Sequence, residues 1–259
     1  MPDTTLPHPQ GAVCWLDMLL PEAAEALNFY QPLFGWSGEP DPNDPTKYAV
    51  QTVQGKAVAG IGVMPPSEPV MPWTGYFAVT DLDAAVARIT PNGGSVIVGA
   101  TEAPGHGRFA HGTDPAGAHF GLWEAGPFPG FQIWGEPGCM GWLELLTAEG
   151  KSSAEFYAAL LECTAEPMES EAMAESYWTL QVEGQPRAGI FEVADVSKPF
   201  WRPYFLVGNV DEATAAAQAS GAQSVNPPTD TPFGRMATLK DPNGIEIQLS
   251  SITEMSSGG

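Results

Sequence analysis

Basic side chains are scarce in this sequence. Ten lysines and arginines stand against 31 aspartates and glutamates among 259 residues, a formal net charge of −21. A surface so acidic repels a phosphate backbone, which excludes nucleic acid as a partner and favours a cationic small molecule. Cysteine is nearly absent too. Cys14, Cys139 and Cys163 share no metal-type spacing and supply no even set for a disulfide framework, a usage that points to reduced thiols in a cytoplasm. No apolar run approaches the roughly 18 residues of a membrane span, and no basic-then-apolar leader opens the chain. Membrane partners are thereby excluded and a cytoplasmic location is expected.

What the chain does have, it has twice. "CWLDMLLPEAAEALNFYQPLFGW" (14–36) returns as "GWLELLTAEGKSSAEFYAALLEC" (141–163), pairing Trp15 with Trp142, Leu19 with Leu146, Phe29 with Phe156 and Tyr30 with Tyr157. Asp17 stands where the second copy has Glu144. "WTGYFAVTDLD" from Trp73 returns as "WRPYFLVGNVD" from Trp201, and "GRFAHGTDPAG" from Gly107 as "GRMATLKDPNG" from Gly234. A nearly constant offset over so long a stretch indicates duplication of a whole domain. We expect a first domain over 11–125, a Gly/Pro-rich linker over 126–137, a second domain over 138–250 and a frayed tail over 251–259. A hydrophobic content of 43% suffices for two cores.

Within each copy the periodicity changes in a fixed order. Val13–Leu20 has strand length and alternates Trp15, Asp17 and Leu19 against Cys14, Leu16 and Met18. Pro21 and Glu22 open a helix whose Leu27, Tyr30 and Phe34 keep helical spacing, and Gly35 is placed to end it. "KYAVQTV" and "KAVAGIGVM" then form a hairpin, and a proline-rich connector runs from Met64 to Pro72. After it come a strand, a helix capped by Asp81 and three more strands. Each copy is thus two βαβββ units, an α+β fold.

That order, the "FY…LFG" helix ending, the "GR…DPxG" hairpin and the doubled unit together resemble the vicinal oxygen chelate superfamily. It includes glyoxalase I, bleomycin-resistance proteins and extradiol dioxygenases. The four-unit form resembles actinobacterial glyoxalase-like "hydroxylase" proteins of antibiotic pathways. The resemblance implies paired modules with curled mixed sheets around one cleft per half. It also implies metal ligands on the opening strands and seven residues beyond the Asp of "DPxG". Those positions carry Trp15, Gly75 and Gly121 in the first half, and Trp142, Pro203 and Gln248 in the second. Trp, Gly and Pro offer no suitable lone pair. Gln248, even joined by Glu192, makes no site, so neither metal nor cofactor is expected. His111 and His119, on adjacent strands, are expected as surface or hydrogen-bonded histidines, with a rebuilt metal pair as the minor alternative.

With the metal gone, each cleft should be aromatic with one carboxylate. We expect ligand contacts from Trp15, Asp17, Phe77, Trp123 and Trp73 in the first half, and from Trp142, Glu144, Phe205 and Gln248 in the second. Trp201 is expected at the rim of the second cleft, and Gly121 should leave space in the first. These residues suit a flat aromatic ligand, with a carboxylate for any ammonium group. The expected function is metal-free binding of an aromatic natural product, for sequestration or in antibiotic biosynthesis, by a monomer or weak homodimer, with a pathway enzyme as a further partner. The alternative is an enzyme with Asp17, Glu144 or His119 as general acid/base.

Overall fold

The computed structural model describes residues 8–64, 70–168 and 176–251. The first repeat runs β1 (Val13–Leu20), α1 (Ala24–Phe34), β2 (Ala49–Val53), β3 (Lys56–Val63), β4 (Met71–Ala78), α2 (Leu82–Ile89), β5 (Ser95–Ala103), β6 (Gly107–Thr113) and β7 (His119–Ala125). The second runs β8 (Met140–Thr147), α3 (Gly150–Leu161), β9 (Thr164–Pro167), β10 (Tyr177–Val182), β11 (Gln185–Glu192), β12 (Phe200–Val207), α4 (Val210–Ala219), β13 (Gln223–Thr231), β14 (Gly234–Lys240) and β15 (Glu246–Ser251). Asp81 caps α2 by accepting from the Ala84 amide, and Gly35 ends α1 in the left-handed region at φ 67°. Two boundaries differ from expectation. α1 starts at Ala24, after Pro21 and Glu22, and β4 starts at Met71, inside the expected connector. Residues 65–69 of that connector, and 252–259 of the expected tail, lie outside the described residues.

Each repeat forms one mixed sheet, of order β2-β3-β1-β4-β7-β6-β5 in the first and β13-β14-β15-β12-β8-β11-β10-β9 in the second. Both are open sheets with edge strands. The first has one strand fewer because the counterpart of β9 shrinks to a single bridge between Ser37 and Thr52. Opening strands pair in parallel with the last strand of their own module: β1 with β3, β4 with β7, β8 with β11, β12 with β15.

By compactness the chain divides into two units, each drawing on both repeats. The first comprises the chain up to Leu16, Thr74–Phe131 and Leu143–Arg202; the second comprises Asp17–Trp73, Gln132–Trp142 and the chain from Pro203 onward. The "FY" residues of the opening helices explain this. In the first unit Tyr157 of α3 is fully buried, packs against Phe77 and Phe120, and accepts a hydrogen bond from Trp201 Nε1 at 3.0 Å. Beside it, Ser153 donates to Asp114 of the first repeat's "DPAG" turn at 2.8 Å. In the second unit Tyr30 of α1 accepts from Trp73 Nε1 at 3.0 Å and donates to Asp241 of the "DPNG" turn at 2.8 Å. Each helix therefore docks on a module of the other repeat, and the buried hydroxyls are satisfied in place.

Candidate functional site

Strand alternation sorts β4, β7 and β6 into two faces. Gly75, Phe77, Ala110, Phe120 and Leu122 point to the helix-covered face. There Phe77 meets Tyr157 and Trp201, Phe120 meets Phe156, and a side chain at Gly75 would collide with Leu143. The opposite face carries Thr74 and Tyr76 from β4, His119, Gly121 and Trp123 from β7, and Phe109 and His111 from β6. Register places Tyr76 and His111 on either side of Gly121, and Phe109 beside Trp123.

Gly121 is the centre of this face. A Cβ there would fall inside the ring of Tyr76, so glycine admits the ring directly over the strand. The space expected at Gly121 is therefore filled by Tyr76. The Tyr76 hydroxyl sits 3.2 Å from His111 Nε2. His119 stacks on His111 with centroids 5.1 Å apart and planes at 21°, and its Nδ1 lies 3.4 Å from Thr74 Oγ1. Phe109 meets His111 edge-on at 5.4 Å. Burial, reinforced by the neighbouring His119, pushes the His111 pKa down to about 3, and burial also lowers that of His119. The ionised imidazoles would lose hydration that this apolar surrounding does not replace. His111 is thus a neutral hydrogen-bonding group at neutral pH. Phe109 and His119 are half-buried and supply the accessible edge.

The other predicted residues distribute differently. Trp15 is only 4% exposed, covered by Phe128 and Phe131 of the linker at 5.0 and 5.6 Å, so its ring offers no free stacking surface. The linker is tied down by Phe131 N–H donating to the Cys14 carbonyl at 2.7 Å. Trp123 also bonds it, from Nε1 to the Phe128 carbonyl at 3.1 Å. Phe77, Phe205, Trp73 and Trp201 belong to the helix-side cores instead of the clefts. Phe205 packs on Phe34 at 4.6 Å and on Trp73 at 5.6 Å. The expected alternation of the second modules' opening strands was displaced by one residue.

The carboxylates each have a partner. Asp17 accepts from the Tyr48 hydroxyl at 3.0 Å, and Tyr48 lies over Gly60 and Gly62 of β3, where a Cβ would strike its ring. Gly60 is the residue that β3 sets beside Asp17. Glu144 receives Arg202 Nη2 at 2.7 Å in a pair whose side chains are 6% and 11% exposed. Gln248 Oε1 accepts from Thr238 Oγ1 at 2.7 Å, and Thr238 in turn accepts from Asn226 at 3.2 Å. Trp142 is half-buried.

These donors do not fit a divalent cation. Trp15 and Trp142 have none, Gly121 lies under a tyrosine ring, and the Gln248 oxygen is engaged. Glu192 Oε2 is turned to Gly150 at the start of α3. The two histidines stack, so their in-plane lone pairs lie in nearly parallel planes and do not converge on one ion. Among the described residues no three His, Cys, Asp or Glu side chains group as a metal set. Among them also, no helix is long and apolar enough to cross a membrane.

Tyr48, Tyr76, Phe109 and Arg202 are not singled out by the sequence, and His111 is expected there as a surface or hydrogen-bonded histidine, with metal ligation as the minor alternative. One signal was available. Trp73/Trp201 and Phe77/Phe205 are identical between repeats, whereas Thr74/Arg202 between them differ. The signal is partial, because Gly75/Pro203 on the core face also differ and Tyr76/Tyr204 on the other face are identical.

Two family profiles cover most of the chain. The glyoxalase/bleomycin resistance protein/dioxygenase superfamily matches residues 15–122, and a glyoxalase-like domain matches 142–250. CFP32 of Mycobacterium tuberculosis, which carries a glyoxylase name, is 37% identical over 242 residues, spanning 91% of this chain and 92% of its own. The anthracycline biosynthesis protein DnrV of Streptomyces peucetius is 33% identical over 262 residues, spanning 94% of each. Among solved structures, the Mn(II)-bound glyoxalase of Novosphingobium aromaticivorans superposes with a TM-score of 0.64 at 16% identity, over 95% of this chain and 83% of that one. The 2,3-dioxygenase LapB of Pseudomonas sp. KL28 superposes with a TM-score of 0.65 at 14% identity, over 94% and 93%. The chain belongs to the glyoxalase/bleomycin-resistance/dioxygenase superfamily, in a tandem form with two glyoxalase modules per repeat.

Proposed function

We propose that this protein binds a flat aromatic natural product without a metal, on the β4–β7–β6 face of the first repeat, as a sequestering or accessory protein of antibiotic biosynthesis. The observation that carries this reading is the replacement at Gly121. Where the family sets a metal ligand, this chain sets a glycine with the Tyr76 ring over it, in a row with Phe109, His111, His119 and Trp123. Rings give stacking surface, and a few polar atoms among them fix orientation. The likeness to DnrV, an anthracycline biosynthesis protein, supports an aromatic polyketide as the ligand class. Held in a cytoplasm by a monomer or weak homodimer, such a ligand would pass to a pathway enzyme.

The test is a tryptophan-fluorescence titration of chelator-treated protein with an anthracycline aglycone, alongside elemental analysis. Saturable binding that survives chelation is expected. Binding that appears only when a divalent metal is restored would sink the reading.

One observation favours a second reading, an acid/base enzyme: the 3.0 Å contact between the Tyr48 hydroxyl and Asp17. Glu144 is less suited to that role because Arg202 holds it. Turnover of an enolisable aromatic substrate, abolished in Asp17→Asn, would carry the alternative.

A further inference from the structure

One ring nitrogen on the β4–β7–β6 face is left over. His111 Nε2 meets the Tyr76 hydroxyl at 3.2 Å. Nδ1 of the same ring is closed to water and has no hydrogen-bond partner among the described residues, on a side chain only 5% exposed. A buried polar atom in that condition forgoes its hydration with nothing in return, and such atoms call for an explanation.

Resting on the aromatic-ligand reading above, we propose that His111 Nδ1 is the point at which this face hydrogen-bonds an oxygen substituent of the ligand. Tyr76 is its positioning residue. If Tyr76 donates to Nε2, Nδ1 carries the proton and takes a carbonyl oxygen. If Nε2 donates to Tyr76, Nδ1 is a lone pair and takes a phenolic hydroxyl. Either way one oxygen on a flat ring system completes the imidazole. Because burial keeps His111 neutral at neutral pH, the contact selects an uncharged oxygen and is insensitive to salt.

The second repeat supplies the contrast. There the residue facing Gln248 across the strands is Thr238, whose hydroxyl donates to Gln248 and accepts from Asn226. In that chain the Thr238 hydroxyl is used both as donor and as acceptor. The approach on the first face passes His119, the half-buried partner of the stack, tethered among the described residues by the 3.4 Å contact with Thr74. Because Nδ1 is closed to water, binding there requires a neighbouring side chain to move.

Three neutral probes test this: 1-naphthol, 1-acetylnaphthalene and naphthalene, titrated into wild type and His111→Phe with the histidine ring nitrogens observed by 15N NMR. Wild type should bind one or both oxygenated compounds roughly tenfold more tightly than naphthalene, the scale of one good buried hydrogen bond. His111→Phe should lose that preference, so that its affinities for the three compounds converge. In wild type, which needs no variant to fold, the His111 Nδ1 resonance should move with the preferred compound and stay put with naphthalene. A larger effect from 1-acetylnaphthalene assigns the donor tautomer, and from 1-naphthol the acceptor. Equal affinities with an unmoved Nδ1 resonance, or a preference that survives His111→Phe, overturn this assignment and leave aromatic binding standing. Failure of all three compounds to bind overturns the aromatic reading itself.

Discussion

Equivalent positions in the two repeats have mostly parted on one face of the sheet, Tyr76 and Tyr204 excepted, and mostly stayed together on the other, Gly75 and Pro203 excepted. Away from the helices, Thr74, His111, His119 and Gly121 of the first repeat correspond to Arg202, Thr238, Glu246 and Gln248 of the second. The first set is neutral and ring-lined, with a nitrogen to spare. The second is polar and engaged: Arg202 with Glu144, Thr238 with Gln248. On the helix side the correspondence is close to identity, Tyr30 with Tyr157, Trp73 with Trp201, Phe77 with Phe205, Asp114 with Asp241. The helix-side core must be filled to native density whatever the protein binds, so it tolerates little change. The opposite face is under no such packing demand and is freer to diverge.

The largest expected effect probes the shared side. Trp73→Ala and Trp201→Ala each delete a buried indole and its hydrogen bond to a buried tyrosine. Each should cost about 3–5 kcal/mol of stability by denaturant unfolding. The comparison requires both losses to fall in that range. A loss in one and not the other would break the equivalence of the cores.

The next effect belongs to the first repeat alone. Unfolded histidine titrates near pH 6.5, whereas folded His111 titrates near 3 and folded His119 also below its ordinary value. The stability these neutral rings contribute is complete above pH 6.5 and is lost as pH falls from 6.5 toward 3. At pH 5 the His111 contribution should be down by about 2 kcal/mol. Asp114 and Asp241 have folded pKa values raised by burial, so their contribution runs the other way, present at low pH and lost as pH rises through those values. Unfolding curves at pH 7 and pH 5 for wild type and His111→Phe separate the two. The variant should lose most of the acid sensitivity. An unchanged pH dependence would show that His111 is not held neutral.

How much of this was written in the sequence depends on which face is asked about. The duplication, the element order and the helix caps were legible because each is local: a Gly at φ 67°, an Asp before an apolar run, a hairpin between two alternating segments. Tyr30 and Tyr157 stood out by repetition. The parity of β4 did not, because "WTGYFAV" is apolar on both faces and alternation alone cannot say which side meets the helices. Nor did the linker's role show. Gly and Pro mark 126–137 as irregular, yet Phe128 and Phe131 cover Trp15 through contacts that no spacing rule encodes. The overlay of Tyr76 on Gly121 joins two strands far apart in sequence, and only the register brings them together.

The smallest single effect, Tyr48→Phe, belongs to a comparison of the opening-strand carboxylates. Asp17 accepts from a tyrosine hydroxyl, and Glu144 from a guanidinium. Tyr48→Phe removes one hydroxyl while its ring can still lie across Gly60 and Gly62, so the loss is that of a single hydrogen bond, about 1 kcal/mol. Arg202→Met instead removes one partner of a buried ion pair with Glu144, which is 5% exposed, and breaking such a pair is several times more costly. Unfolding free energies of the two variants should therefore rank Arg202→Met well below Tyr48→Phe. Equal losses would mean that the two carboxylates sit in equivalent surroundings, and that the faces of the two repeats have diverged less than their residues suggest.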